Sequence, residues 1–426
     1  MSSNGDEVAK PSRGPEASGG DDAGTSTPDR HQASEPSRAM IFSRAFILLG
    51  AAQVGQNLAI TMIYTCLGLL VVVRLGLNPS VAGVVIGGLF AVSLASRLAI
   101  GGIVDRRGPR RIGIVGAACS GTGALLYAGS AAGIAGDVAI GDLPLVLIPA
   151  TIILGVGYAA STTSLNTQLA HTVPAGRRGE AVAYYGVFLT VGAGIGSGAG
   201  YPLFELVGPA APFAGAGLAY AWSALLWLTV PHREESTVEI EGRRRLGLER
   251  SVLVPAAAMA CVLFAQATAS AFVPVAGREL GVPNPGVYFI AFSVAALTSR
   301  ALTGRIADRR GRLATIVPGA ILQASGLLLV SVASESLAFV VAGLVVGAGV
   351  AMLQSTLQTV TIDLARPERR GAAMATLGAS FDVGVIVGSV VAGQLAHVLG
   401  YSQLFRVTSL VPLAGLVLLL AWRRLR

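Results

Sequence analysis

From Arg44 onward, charged residues are gathered into short clusters, and the stretches between them are apolar for 20 residues or more. The runs cover roughly 45–73, 75–96, 112–136, 143–170, 181–204 and 206–230, then 251–277, 280–299, 313–334, 336–362, 371–396 and 402–422. None holds more than one charged residue. A bilayer core is crossed by about 20 apolar residues in a helix, and only a helix or a closed barrel satisfies its backbone there. Twelve such runs predict an all-α polytopic membrane protein with twelve transmembrane helices. With 53% hydrophobic and only 13% charged residues, the chain is far from the roughly one-quarter charged composition of soluble globular proteins. A soluble enzyme is excluded on that ground.

The placement of charge matters more than its net value of +8. Lys10 is the only lysine, and the arginines sit between apolar runs rather than on a basic domain face, which disfavours a nucleic-acid partner. With the N-terminus inside, the even-numbered connections and the C-terminal end carry 21 arginines, against Arg74 and Arg278 in the odd-numbered ones. Positive charge marks the cytoplasmic side, so both termini are expected there. Residues 1–40, rich in Ser, Gly, Pro and Asp, read as a disordered cytoplasmic tail. Cys66, Cys119 and Cys261 lie in apolar runs without ligand or redox spacing, and His31, His171, His232 and His397 are scattered. No phosphate loop, nucleophile constellation or metal cluster is present, so no enzyme, cofactor or metal is expected.

A repeat organises the twelve runs. Ser96-Arg97-Leu98-Ala99-Ile100-Gly101-Gly102-Ile103-Val104-Asp105-Arg106-Arg107-Gly108 returns, 203 residues on, as Ser299-Arg300-Ala301-Leu302-Thr303-Gly304-Arg305-Ile306-Ala307-Asp308-Arg309-Arg310-Gly311. Arg177-Arg178-Gly179, Gly186, Gly192 and Gly196-Ser197 return at an offset of 192 as Arg369-Arg370-Gly371, Gly378, Gly384 and Gly388-Ser389. Two pseudo-symmetric six-helix bundles follow, 41–230 and 251–426, joined by a cytoplasmic loop over 231–250. Six is even, so the repeats are parallel, and a substrate belongs between them near the midplane.

These residues resemble a known family. The pattern Gly101-x-x-x-Asp105-Arg106-x-Gly108, with its echo Gly304-x-x-x-Asp308-Arg309-x-Gly311, looks like the signature loop of the major facilitator superfamily. The likeness extends over residues 41–426. The segment Arg177-Arg178-Gly179-Glu180-Ala181 before Tyr184-Tyr185-Gly186 is similar to that preceding helix 5 of bacterial efflux members. The resemblance implies secondary transport by alternating access, with proton-driven export of a small organic molecule as the expected activity and a monomeric chain in the bilayer. The alternative is an uptake permease for an organic acid or sugar-like solute. A transporter-like sensor would need a larger soluble output domain. In helix 4, Thr151 stands where proton-coupled antiporters of the superfamily carry an arginine, and helix 5 lacks their Gly-Pro pair.

An aspartate at a helix end can accept hydrogen bonds from the free N–H groups of a neighbouring helix start. By resemblance, Asp105 would face the start of helix 11 and Asp308 the start of helix 5, with Gly101, Arg106, Gly108, Gly304, Arg309 and Gly311 completing a conformational latch. Arg97 and Arg300 lie eight residues before these aspartates, inside the membrane zone. Either they serve a functional site or they snorkel to the cytoplasmic surface and pair with the loops. Asp382 is the acidic residue deep within a span, and its repeat-related position is Thr190. Its carboxylate must face a cavity and find a cation or stay protonated, which makes it the candidate for proton coupling or for binding a cationic substrate group; a structural pair with an arginine such as Arg406 is the competing reading. The candidate substrate cavity comprises Gln53, Gln56, Asn57, Tyr158, Asn166, Gln266, Gln354 and Gln358 on helices 1, 4, 7 and 10, with interhelical hydrogen bonding as the alternative role. The glycines Gly192, Gly196, Gly200, Gly384 and Gly388 read as close-packing positions.

Overall fold

The computed structural model describes residues 43–134, 143–173, 178–230, 249–366 and 369–424. The expected tail and almost all of the 231–250 loop lie outside them. The helices are α1 (Arg44–Leu69), α2 (Pro79–Arg107), α3 (Pro109–Ile134), α4 (Leu143–Thr172), α5 (Arg178–Pro202), α6 (Ala211–Thr229), α7 (Leu253–Glu279), α8 (Val287–Arg310), α9 (Leu313–Val332), α10 (Ser336–Leu364) and α11 (Arg370–Arg424). The last is two helices joined at Gly400, whose φ of 77° breaks the helix, so eleven continuous elements make twelve spans. All eleven are long and apolar enough to cross a membrane. Large apolar side chains such as Leu218, Leu225, Leu410 and Val417 are exposed on their outer flanks, as a protein solvated by lipid requires.

Local sequence sets the helix ends. Ser43 caps α1 by accepting a hydrogen bond from the Phe46 N–H at 3.2 Å. Pro79 opens α2 at a position where its missing N–H is harmless. The glycines that close both signature loops have positive φ, 80° at Gly108 and 84° at Gly311, so the chain reverses at once into α3 and α9. Arg110 then donates to the carbonyls of Trp227 at 3.3 Å and Leu228 at 2.6 Å. It satisfies the C-terminal end of α6, a structural duty for a signature-loop arginine.

Six helices form each bundle. In the first, α1 packs on α5 and α6, α3 on α4 and α6, and α2 on α4; in the second, α7 packs on α11, α10 on α8 and α9, and α9 on α11. The glycine ladder makes a close approach in each bundle. Side chains at Gly192 and Gly196 would strike the Val54 and Leu58 carbonyls of α1, and at Gly384 and Gly388 those of Ala260 and Phe264 on α7. Each bundle thus repeats the same seam.

Between the bundles, α2 meets α11, α5 meets α8 and α1 meets α7. Because consecutive helices reverse direction, the signature loops, the end of α10 and the start of α11 share one face, here called the basic face. The contacts between bundles lie towards the opposite face. Gly83 abuts Ser389 and Gly393, Gly87 abuts Ile386 and Val390, Gly194 abuts Ser293, Gly198 abuts Ile290, and Gly68 abuts Ala271. Arg278 and Glu205 form an ion pair between the bundles there. Towards the basic face, Gly101, Gly102, Gly304 and Gly378 have open space where a side chain would stand. Among the described residues the bundles are joined at one face and make no such contact at the other.

Candidate functional site

The innermost charged groups meet at the boundary between joined and parted regions. Arg97 lies ten residues before the end of α2, about 15 Å from its basic end, and Asp382 twelve residues into α11, about 18 Å from its own. Their side chains pair across the bundles, Arg97 Nη1 to Asp382 Oδ2, at 3.1 Å. The carboxylate is nearly sealed, with 7% of its side chain exposed, while the arginine keeps 32%. The contact is an ion pair without aligned hydrogen bonding, since Asp382 Oδ2 and Arg97 Nε lack hydrogen-bond partners among the described residues. The aspartate's partner is therefore Arg97 and not Arg406, which is exposed on the second arm of α11. Arg97 correspondingly points across to α11 and does not reach up to its signature loop.

Arg300 holds the equivalent place on α8, ten residues before its end. Its Nη2 donates to Gln354 Oε1 at 3.1 Å, and Gln354 Nε2 donates to Gln266 Oε1 at 3.0 Å. Its Nη1 lies against Gly186 of α5, where any side chain would displace it. Among the described residues it makes no ion pair. Thr190, standing where Asp382 stands in the repeat, is buried and donates to its own helix at Gly186 O, 2.9 Å away.

The other candidate cavity residues divide. Gln53 accepts from the Tyr185 hydroxyl at 2.5 Å, and Gln56 Nε2 donates to Ser161 Oγ at 2.5 Å. Both glutamines are buried, so these bonds tie α1 to α5 and α4. Asn57 donates to the Gln53 carbonyl at 3.1 Å. Tyr158 is half-buried and stands edge-on to Phe90 with centroids 6.1 Å apart; Phe90 is in turn edge-on to Tyr64 at 5.9 Å. Tyr158 lies within electrostatic range of both Arg97 and Asp382. Asn166 is exposed near the basic end of α4, away from this group, and Gln358 is half-buried one turn beyond Gln354. Thr151 bonds Tyr127 at 2.5 Å and Leu147 O at 2.7 Å, so α4 places no cation here. The cations come from α2 and α8 instead. Tyr185 is the residue that sequence reasoning passed over as a site member; its signal was a phenol on α5 ahead of Gly192 and Gly196, the glycines that press α5 on α1.

At the basic face, Asp105 and Asp308 are exposed, and Asp308 pairs with Arg312 at 3.3 Å one turn on, which also reaches Asp363 at 3.1 Å. Among the described residues neither aspartate is seen to bond the other bundle. Arg106 and Arg309 are exposed beside them. Nearby, Glu249 pairs with Arg369 at 3.0 Å. The Ser251 hydroxyl and N–H, and then Arg369 and Arg366, hold its carboxyl below the usual range. Metal-ligating clusters are absent among the described residues.

Two bundles with matching seams, signature loops at equivalent turns and a charged pair between them agree with what the sequence comparisons find. The family model described as Major Facilitator Superfamily matches residues 47–361 and 256–426. The chain belongs to this superfamily. It is 24% identical over 352 residues to an uncharacterized MFS-type transporter of Burkholderia mallei, covering 81% of this chain and 84% of the relative. It is also 24% identical over 381 residues to one of Salmonella typhimurium, with 86% and 93% covered. Among solved structures, the fold is similar to the nucleoside transporter NupG, with a TM-score of 0.69, 13% identity and 88% and 99% of the two chains covered. A bacterial homolog of the human lysosomal transporter Spinster, in an inward-facing and unoccupied conformation, gives a TM-score of 0.68 at 13% identity, with 90% and 95% covered. At such identities the likeness is one of fold. The chain is a multi-pass membrane protein of a transporter family.

Proposed function

We propose that the chain is a proton-coupled secondary transporter that exports a small organic molecule across the bacterial cytoplasmic membrane by alternating access, working as a monomer. The observation that carries this is the Arg97–Asp382 pair, a buried carboxylate spanning the two bundles at mid-depth. An ionised pair there holds the bundles together, and protonation of Asp382 discharges it, so proton binding and bundle movement act on one contact. Arg97 is the counter-ion, the part that the helix 4 arginine plays in similar antiporters. With the basic face cytoplasmic, as its arginines favour, the parted side opens inward. Asp105 and Asp308 are then latch residues, engaged when the basic face closes, while Glu205–Arg278 and the glycine contacts hold the outer side shut.

A second reading, uptake of an organic acid with a proton, is favoured by the surplus of cations in the core. Arg97 and Arg300 outnumber Asp382, so a bound organic anion would bring the three groups to neutrality, and a proton taken up with it would restore the charge of the unloaded site. Proteoliposomes with an imposed pH gradient test the coupling and its direction. Asp382→Asn should abolish gradient-driven flux while sparing energy-independent exchange of the same solute. Undiminished gradient-driven flux in Asp382→Asn would remove the proton role.

A further inference from the structure

We infer that Arg300, positioned by Gln354 and Gln266, is the docking site for a carboxylate group on the transported molecule. The inference rests on the transport reading above, though not on its direction.

Depth is the first ground. Arg300 and Gln354 each lie ten residues from the basic end of their helices, about 15 Å, so the guanidinium stays level with its own backbone and does not snorkel out. A cation held in the membrane zone needs a counter-charge. Its repeat partner has one in Asp382, but among the described residues Arg300 has only the dipole of Gln354, which orients a guanidinium without neutralising it. Arg300 Nε is buried with no hydrogen-bond partner among the described residues. One donor is thus spent on Gln354, and others remain for a ligand.

The chain of amides gives the site its specificity. Gln266 accepts from Gln354 Nε2, which fixes the Gln354 amide so that Oε1 faces Arg300. A guanidinium so anchored presents its remaining fork to a planar two-oxygen acceptor, the geometry of a carboxylate. Gly186 makes room for the guanidinium itself, because a Cβ there would stand against Nη1. The wall is shared: Arg300, Gln354 and Gln266 belong to the second bundle and Gly186 to the first. An anion bound between them touches both halves, so its binding free energy differs between the two conformations, as substrate-driven switching requires.

The detergent-purified full chain is screened by thermal shift with benzoate, succinate and citrate against benzamide and succinamide, which keep the shape without the charge. At least one carboxylate should raise Tm where its amide does not. Arg300→Gln should weaken that carboxylate's apparent Kd at least about tenfold, equivalent to about 1.4 kcal/mol. Arg300→Lys should retain part of the affinity. Thr190→Asp, which sets an acid at the place Asp382 holds in the other half, should weaken binding with Arg300 intact, and it decides the matter should Arg300→Gln not fold. Unchanged carboxylate affinity in folded Arg300→Gln or in Thr190→Asp overturns the inference, as does a wild type that binds none of the three carboxylates. Gradient-driven flux of a neutral solute without carboxylate binding would sink this inference alone. Carboxylate binding without any gradient-driven flux would sink the coupling reading and leave the site standing.

Discussion

Arg97 and Arg300 stand 203 residues apart at the same place in the two bundles, yet one meets an aspartate and the other a glutamine. Duplication kept the backbone and both cations but only one acid. The bundle seams, built on Gly192–Gly196 and Gly384–Gly388, tolerate no such divergence, because a side chain there meets backbone. Packing positions therefore preserve the repeat, whereas positions facing the central space are free to differ, and their differences record what that space does. A symmetric scaffold carries an asymmetric site.

The largest expected effect separates the two arginines. Stripping one partner from a sealed pair costs on the order of 3–5 kcal/mol, because the other charge is left unpaired. Arg97 retains 32% side-chain exposure, so Arg97→Gln should fall near the lower end and reduce Tm by several degrees. Adding Asp382→Asn should recover most of that loss, since no charge is then stranded. Arg300→Gln strands no acid among the described residues and should leave Tm nearly unchanged. Thermal unfolding of the three purified variants beside the wild type checks this. Equal destabilisation by Arg97→Gln and Arg300→Gln would break the comparison.

The same contrast explains what could be read from the sequence. Twelve spans, the duplication and the helix-breaking Gly108 and Gly311 are visible because bilayer thickness and backbone geometry impose them residue by residue. The mid-depth position of Asp382 is legible for the same reason, as is the glycine ladder. Its partner is not legible: α2 and α11 are brought together by contacts such as Gly83 with Ser389 and Gly393, far apart in the chain, and helical periodicity carries no register between bundles. Gln53 and Gln56 illustrate the opposite difficulty. A polar residue on an inner helix looks the same in sequence whether it faces a cavity or, as here, bonds Tyr185 and Ser161 on neighbouring helices.

A smaller effect is expected at the basic face, where the repeat has kept both aspartates. Asp105→Asn and Asp308→Asn should each slow transport several-fold while leaving Tm within about one or two degrees of wild type, because exposed carboxylates contribute little to stability. Disulfide trapping between cysteines placed at the basic ends of α2 and α11 should report fewer closed molecules. Transport and trapping at wild-type levels in both variants would remove the latch role. A defect in one alone would show that the latch, like the core, has lost its symmetry.

The smallest effect belongs to the face that is joined. Glu205 and Arg278 are 30% and 42% exposed, and such pairs contribute about 0–1 kcal/mol, screened by salt. Close packing of Gly83 on Gly393 and Gly194 on Ser293 is sealed from solvent, so the glycine contacts and not the ion pair should hold this side shut. Ser293→Cys, in a background lacking Cys66, Cys119 and Cys261, reports the opening, because position 293 is buried while the bundles are joined. Glu205→Gln should speed thiol labelling there by no more than about fivefold, the ratio expected from about 1 kcal/mol. Raising salt in the parent should reproduce part of that gain. Asp105→Asn should act in the opposite sense and slow labelling, since releasing the basic-face latch favours the state in which position 293 is covered. An acceleration well beyond tenfold in Glu205→Gln would make the ion pair the principal lock and reduce the glycine contacts to spacers.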